Sequence, residues 1–176
     1  MNNADQISKE LSGILTTLLS GNNMYLLHHR MQERWGYQGL ADKAREFSML
    51  AFKNSLPVME RLLFLENQPA SFRYDEIKLG CTCEEQLSYQ YKFELDLSGL
   101  LRKAIALCID KNDSVTRKLL DDIYQSNQQQ INWLETQFCK INKSGLRDFL
   151  SDQLEFQLRR VDDLRPRKRM EACIPG

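Results

Sequence analysis

Apolar residues recur along most of this chain at intervals of three and four, the spacing that places them on one face of an α-helix. From about Asp5 to Trp35 the stripe reads Ile7, Leu11, Ile14, Leu18 and Tyr25. Gly36 and Gly39 bracket a short turn, and a second helix is predicted from about Leu40 to Glu66 on Phe47, Leu50, Ala51, Val58, Leu62 and Leu65. Pro57 falls inside it, where a missing backbone donor predicts a local kink. A third helix, about Cys83 to Lys111, carries the seam Leu87, Tyr91, Glu94, Ser98, Leu101, Ile105 and Cys108, with one carboxylate in it. After an Asn112-Asp113 turn, a fourth runs from about Ser114 to Lys143 with Leu119, Ile123, Asn127, Gln130, Leu134, Phe138 and Ile141 inward, two of them amides. Beyond Gly145 the segment Leu146 to Leu158 reads as a short fifth helix.

Connection lengths constrain the topology. The first and third turns are too short for anything but antiparallel neighbours. Asn67 to Thr82, between the second and third helices, is sixteen residues long, and extended chain of that length reaches about 50 Å. A helix of this size spans roughly 40 Å, so the connection can cross the whole bundle. The fold class expected is all-α: a four-helix bundle with one long crossover between helices two and three, plus a short C-terminal helix. Residues 1–158 form this bundle, and 159–176 are expected to be a flexible basic tail.

Composition narrows the function classes. Lys plus Arg and Asp plus Glu are equal at 24 each in 176 residues, so the chain as a whole offers no broad field for nucleic acid or an anionic membrane. The opening residues Met1 to Asp5 lack a basic, apolar leader, and no run approaches the ~18 apolar residues of a membrane span. A cytoplasmic protein is expected. Five cysteines, Cys81, Cys83, Cys108, Cys139 and Cys173, lack zinc-site spacing, and Cys81-x-Cys83 alone makes a weak soft-metal site.

Several collinear words carry a resemblance: Leu27-His28-His29-Arg30-Met31, Arg34-Trp35-Gly36, Glu60 through Glu66, Glu94-Leu95-Asp96, and Ile131-Asn132-Trp133-Leu134-Glu135-Thr136. From about Leu11 to Leu150 the chain resembles the bacterioferritins, ferritin-like four-helix bundles. The resemblance implies a 24-subunit shell storing ferric mineral, a di-iron ferroxidase centre in each bundle and haem at two-fold interfaces. Such a centre takes one Glu from each of two helices and Glu-x-x-His from each of the other two.

Carried across by position, the resemblance puts the first-helix carboxylate at Leu18, the second-helix pair at Ala51 and Asn54, and the fourth-helix pair at Asn127 and Gln130. The third-helix carboxylate persists as Glu94. Alkyl groups and neutral amides supply none of the charge needed to hold two ferrous ions, so the ferroxidase is expected to be lost and no cofactor is expected in the bundle. The haem-ligand position falls on Phe52, which has no lone pair for iron; Met49 lies about a turn away. Haem is not expected. Asn54, Asn127 and Gln130 are expected to surround Glu94 as donors, desolvation raising its pKa. Tyr25 and Trp133 match aromatic positions near the family's metal centre and are read here as core packing. His28 and His29 are read as a solvated pair.

At the C-terminus Arg159, Arg160, Arg165, Arg167, Lys168 and Arg169 place six positive charges within eleven positions. Such a cluster suits phosphate on nucleic acid or mineral, or an acidic protein. Two functions compete on these grounds. One is a shell subunit without a catalytic centre that co-assembles, as a homo- or hetero-oligomer, with active bacterioferritin subunits, iron mineral being the assembly's cargo. The other is a scaffold with no iron role whose basic tail binds a partner or nucleic acid.

Overall fold

A computed structural model describes residues 3–65 and 74–163, with side chains from residue 4 to 154. The helices are α1 (Asn3–Arg34), α2 (Gln38–Phe64), α3 (Cys83–Asp110), α4 (Ser114–Ser144) and α5 (Leu146–Asp163). Four of the boundaries have a visible local cause. Gly36 and Gly145 close the turns after α1 and α4 at φ 87° and 84°, a backbone region glycine enters without steric cost. Thr82 begins α3 through a capping box, its hydroxyl accepting from Glu85 N while the Glu85 carboxylate accepts from Thr82 N. Asp113 caps α4 by accepting from Thr116 N at 2.9 Å. Helix α2 is assigned continuously through Pro57.

Side-chain pairs reveal how the helices run. Tyr25 meets Glu94 and His28 meets Gln90, while Met31 meets Gln86; rising numbers on α1 match falling numbers on α3, so the two are antiparallel. Asn22 meets Ser48 and His29 meets Ala41, which makes α1 and α2 antiparallel as well. Helices α2 and α3 are therefore parallel, and the chain between them must travel the length of the bundle. Its described part is pinned to α1: Asp75 N donates to Ser20 Oγ at 2.8 Å and Thr17 Oγ1 donates to Asp75 Oδ2 at 3.3 Å.

The core has two apolar regions. One gathers Leu11, Ile14, Leu18, Leu62, Leu101 and Leu120, and the other Phe47, Leu87, Leu134 and, from α5, Phe149. Each fully buried leucine contributes about 2 kcal/mol. Between the regions lies a polar layer, the candidate site. Phe93 folds over Gly21 so closely that an added Cβ there would sit 2.6 Å from the ring.

Two expectations about helix faces need correction. The inward face of α3 includes Gln86, Gln90, Leu97 and Ala104, whereas Tyr91 and Ile105 are only half-buried. On α4 the buried row runs Thr116, Leu120, Ile123, Asn127, Gln130, Leu134 and Gln137, leaving Leu119 and Phe138 at its margin. In both helices polar residues complete a face that apolar letters alone outline imperfectly. Helix α5 continues through Arg159 and Arg160 to Asp163, past the expected end at Leu158. Arg165, Arg167, Lys168, Arg169 and Cys173 lie outside the described residues.

Candidate functional site

Glu94 sits at the centre of α3, 1% exposed, with its carboxylate turned inward between α1 and α4. Tyr25 of α1 donates to Glu94 Oε1 at 2.5 Å, and Asn127 of α4 donates to Oε2 at 2.6 Å and to the Glu94 backbone carbonyl at 3.0 Å. Both carboxylate oxygens thus have a neutral donor. Burial pushes the Glu94 acid up to about 7, while the hydrogen bonds from Tyr25 and Asn127 pull the other way. A buried carboxyl group without a cation is costly to ionise, and neutral donors offset that cost only in part. Tyr25, fully buried, has its phenol held well above its ordinary value by burial and then by the charge of Glu94.

The remaining expected positions surround this pair unequally. Leu18 and Ala51 are buried hydrocarbon. Gln130 is buried, but among the described residues it gives Glu94 no hydrogen bond. Asn54 is half-buried and turns its amide to Ser126 Oγ at 3.2 Å. The expected ring of three amides around Glu94 therefore reduces to Asn127, because Asn54 finds a closer acceptor on α4. Tyr25, read from sequence as core packing, supplies the second donor. It also packs edge-on against Phe47 and Phe93, and Phe47 against Trp133, with centroids 5.3, 6.0 and 5.4 Å apart. Trp133 remains a packing residue.

His28 and His29 are both buried, which overturns the reading of a solvated pair. Adjacent helical residues point to different neighbours: His29 Nδ1 donates to the Ala41 carbonyl on α2, and Gln90 Nε2 of α3 donates to His28 Nδ1, each at 2.9 Å. That bond leaves the His28 proton on Nε2, which faces the carbonyls of Lys78 and Leu79 in the crossover without a hydrogen bond of good geometry. Burial lowers His28 to about 4, the two carbonyls opposing this. Gln32 and Gln86 lie in the same buried layer. The signal was present in the sequence: Ile7, Leu11, Ile14, Leu18 and Tyr25 continue at the same spacing to His28 and Gln32.

Phe52, half exposed at 50%, presents only a hydrocarbon ring where the resemblance places a haem-ligating thioether, and Met49 stands 63% exposed a turn earlier on α2. The side chain at the ligand position does not fit that haem. Cys81 is exposed while Cys83 is buried, so the two thiols do not share an environment. Among the described residues no group of three or more His, Cys, Asp or Glu gathers to hold a metal ion, and no helix is long and apolar enough to cross a membrane.

Comparison with known proteins agrees with this architecture. The model of the ferritin-like domain matches residues 8–144. A bacterioferritin of Mycobacterium avium is 32% identical over 141 residues, covering 80% of this chain and 89% of its own length. Bacterial ferritins of Synechocystis sp. and Pseudomonas aeruginosa are 30% and 31% identical, each over 82% of this chain and 94% of theirs.

Proposed function

The chain belongs to the ferritin-like domain family as a bacterioferritin-type member, and from that premise we propose that it is an iron-storage shell subunit with no working di-iron ferroxidase centre, assembling with subunits that have one. The observation that carries this reading is the occupation of Glu94. Its two oxygens are held by Tyr25 and Asn127, and the other five positions of the centre are Leu18, Ala51, Asn54, Asn127 and Gln130. Two ferrous ions bring four positive charges. One carboxyl group, itself protonated up to about pH 7, cannot balance them, and hydrocarbon cannot replace their water.

What the chain retains is its architecture: the helix hairpins, the crossover and the polar layer that fixes their register. In a mixed shell it would supply wall and contacts while its neighbours oxidise the iron substrate. Mixing the purified protein with Fe(II) and oxygen in a stopped-flow instrument is expected to give only the slow background oxidation. A fast phase saturating at two Fe(II) per chain would sink the proposal. Co-expression with an active bacterioferritin subunit, followed by native mass measurement, is expected to yield shells containing both chains.

A further inference from the structure

Beyond the Glu94 layer, toward the C-terminal end of α1, the core holds polar atoms that no neighbouring side chain satisfies. Among the described residues four buried side-chain atoms lack a hydrogen-bond partner: Ser8 Oγ near the start of α1, and His28 Nε2, Gln32 Oε1 and Gln86 Oε1 toward its other end. The last three belong to residues at most 1% exposed, so bulk solvent does not reach them. His28 and Gln32 lie one turn apart on α1, as Gln86 and Gln90 do on α3, and each pair shares a helix face. The two helices are antiparallel and Gln90 bonds His28 at 2.9 Å, so Gln32 and Gln86 fall on the next rung. The reach of Gln86 Nε2 to Met31 Sδ at 3.4 Å places that rung against the same turn of α1. Three buried groups left without partners would be costly.

Their chemistry selects what can lie between them. With Nδ1 accepting from Gln90, His28 carries its proton on Nε2 and can only donate there, whereas the two glutamine oxygens can only accept. The imidazole N–H repels a cation, and the two carbonyl oxygens repel an anion. The ligand must accept once, donate twice and be very small, which describes water. Four residues at about 1.5 Å each separate the rungs by about 6 Å, close to the span that one water bridges with two hydrogen bonds of about 2.8 Å. We infer that His28, Gln32 and Gln86 form an internal water site, in which one bound molecule accepts from His28 Nε2, donates to Gln32 Oε1 and Gln86 Oε1, and joins α1 to α3. The crossover roofs the site, because the carbonyls of Lys78 and Leu79 face the same imidazole nitrogen. Buried waters typically make about three hydrogen bonds and belong to the fold as much as side chains do. The site is separate from Glu94 and stands whether or not the chain oxidises iron.

The first test is a crystal structure of the full chain. An ordered peak about 2.7–3.2 Å from at least two of the three atoms is expected. Direct pairing among the three side chains, a dry gap, or a peak at the roughly 2.0–2.4 Å of a metal ligand would each overturn the inference. Stability supplies a second readout whose sign separates a wet site from a dry one. Gln32 Oε1 has no protein partner, so Gln32→Met removes an acceptor that no protein group uses. In a dry site that change deletes an unsatisfied atom and stabilises the fold. Around a bound water it strips one of three bonds, and the unfolding equilibrium constant from urea titration is expected to rise about five- to tenfold. A constant unchanged or lowered in Gln32→Met would sink the water site. Circular dichroism checks that the variant is folded, and the crystal of the unaltered chain decides the question without it.

Discussion

At the scale of single residues, two buried groups titrate in opposite senses. Glu94 rises to about 7 in the folded chain from an unfolded value of about 4.3. Across that window the folded state holds more protons, so stability from protonated Glu94 is present below pH ~4.3 and is lost as pH rises through 7. His28 falls to about 4 from about 6.5. Here the unfolded state holds more protons, and stability grows as pH rises from 4 to 6.5. Each shift is worth roughly 3 kcal/mol, so the slopes nearly cancel and stability is expected to be flat between about pH 4.5 and 6.5. Glu94→Gln should expose the rising His28 slope, and His28→Gln the falling Glu94 slope. Urea unfolding at several pH values checks this; slopes of the same sign in the two variants would contradict it. The acid was legible in the sequence, because Glu94 falls inside an apolar seam. Its partners were not: Tyr25 looks like any core aromatic until α1 and α3 are placed in register, and His28 and Gln32 are polar letters on a stripe traced from apolar ones.

Among the elements, the turn joining α3 to α4 is held by more than its own cap. Arg61 of α2 donates through Nη2 to both oxygens of Asp113 at 3.0 Å and through Nε to Thr116 Oγ1 at 2.7 Å. Burial alone would raise Asp113, but the hydrogen bonds from Thr116 and Arg61 hold it below the usual carboxylate range. Asp113→Ala removes the helix cap and leaves a largely buried guanidinium unpaired. The expected loss is about 2–4 kcal/mol, read as a lower urea midpoint with an unchanged slope. Replacing Arg61 and Asp113 together by apolar residues should cost less than the single change, since no buried charge is then stranded. The helices, their order and the crossover were all readable beforehand, because periodicity and loop length depend on spacing that the sequence displays directly. The Arg61–Asp113 tie was not, because it joins residues far apart in the chain and neither one departs from an ordinary helical or turn composition.

For the whole molecule, two apolar regions enclose a polar layer centred on Glu94. The proposal that the family's ligand positions hold no iron rests on residue identities alone; how Glu94 is satisfied by Tyr25 and Asn127 required the packed bundle. The distribution of thiols has a practical consequence. Cys81 and Cys139 are exposed, whereas Cys83 and Cys108 are buried and their thiols are pushed up, chiefly by burial, to about 12 and 11. An alkylating reagent reacts with thiolate, so the inner pair is doubly shielded and becomes reactive only when the bundle opens. Peptide mapping after timed alkylation is expected to show the exposed Cys81 and Cys139 modified first and Cys83 and Cys108 only at the far slower rate of opening. Equal rates at Cys81 and Cys83 would contradict the burial of the α3 N-terminus. Since Cys83 lies where the crossover enters α3 and Cys108 beside the α3–α4 turn, their two rates form a pair of clocks, reporting separately how often each end of the same helix comes loose.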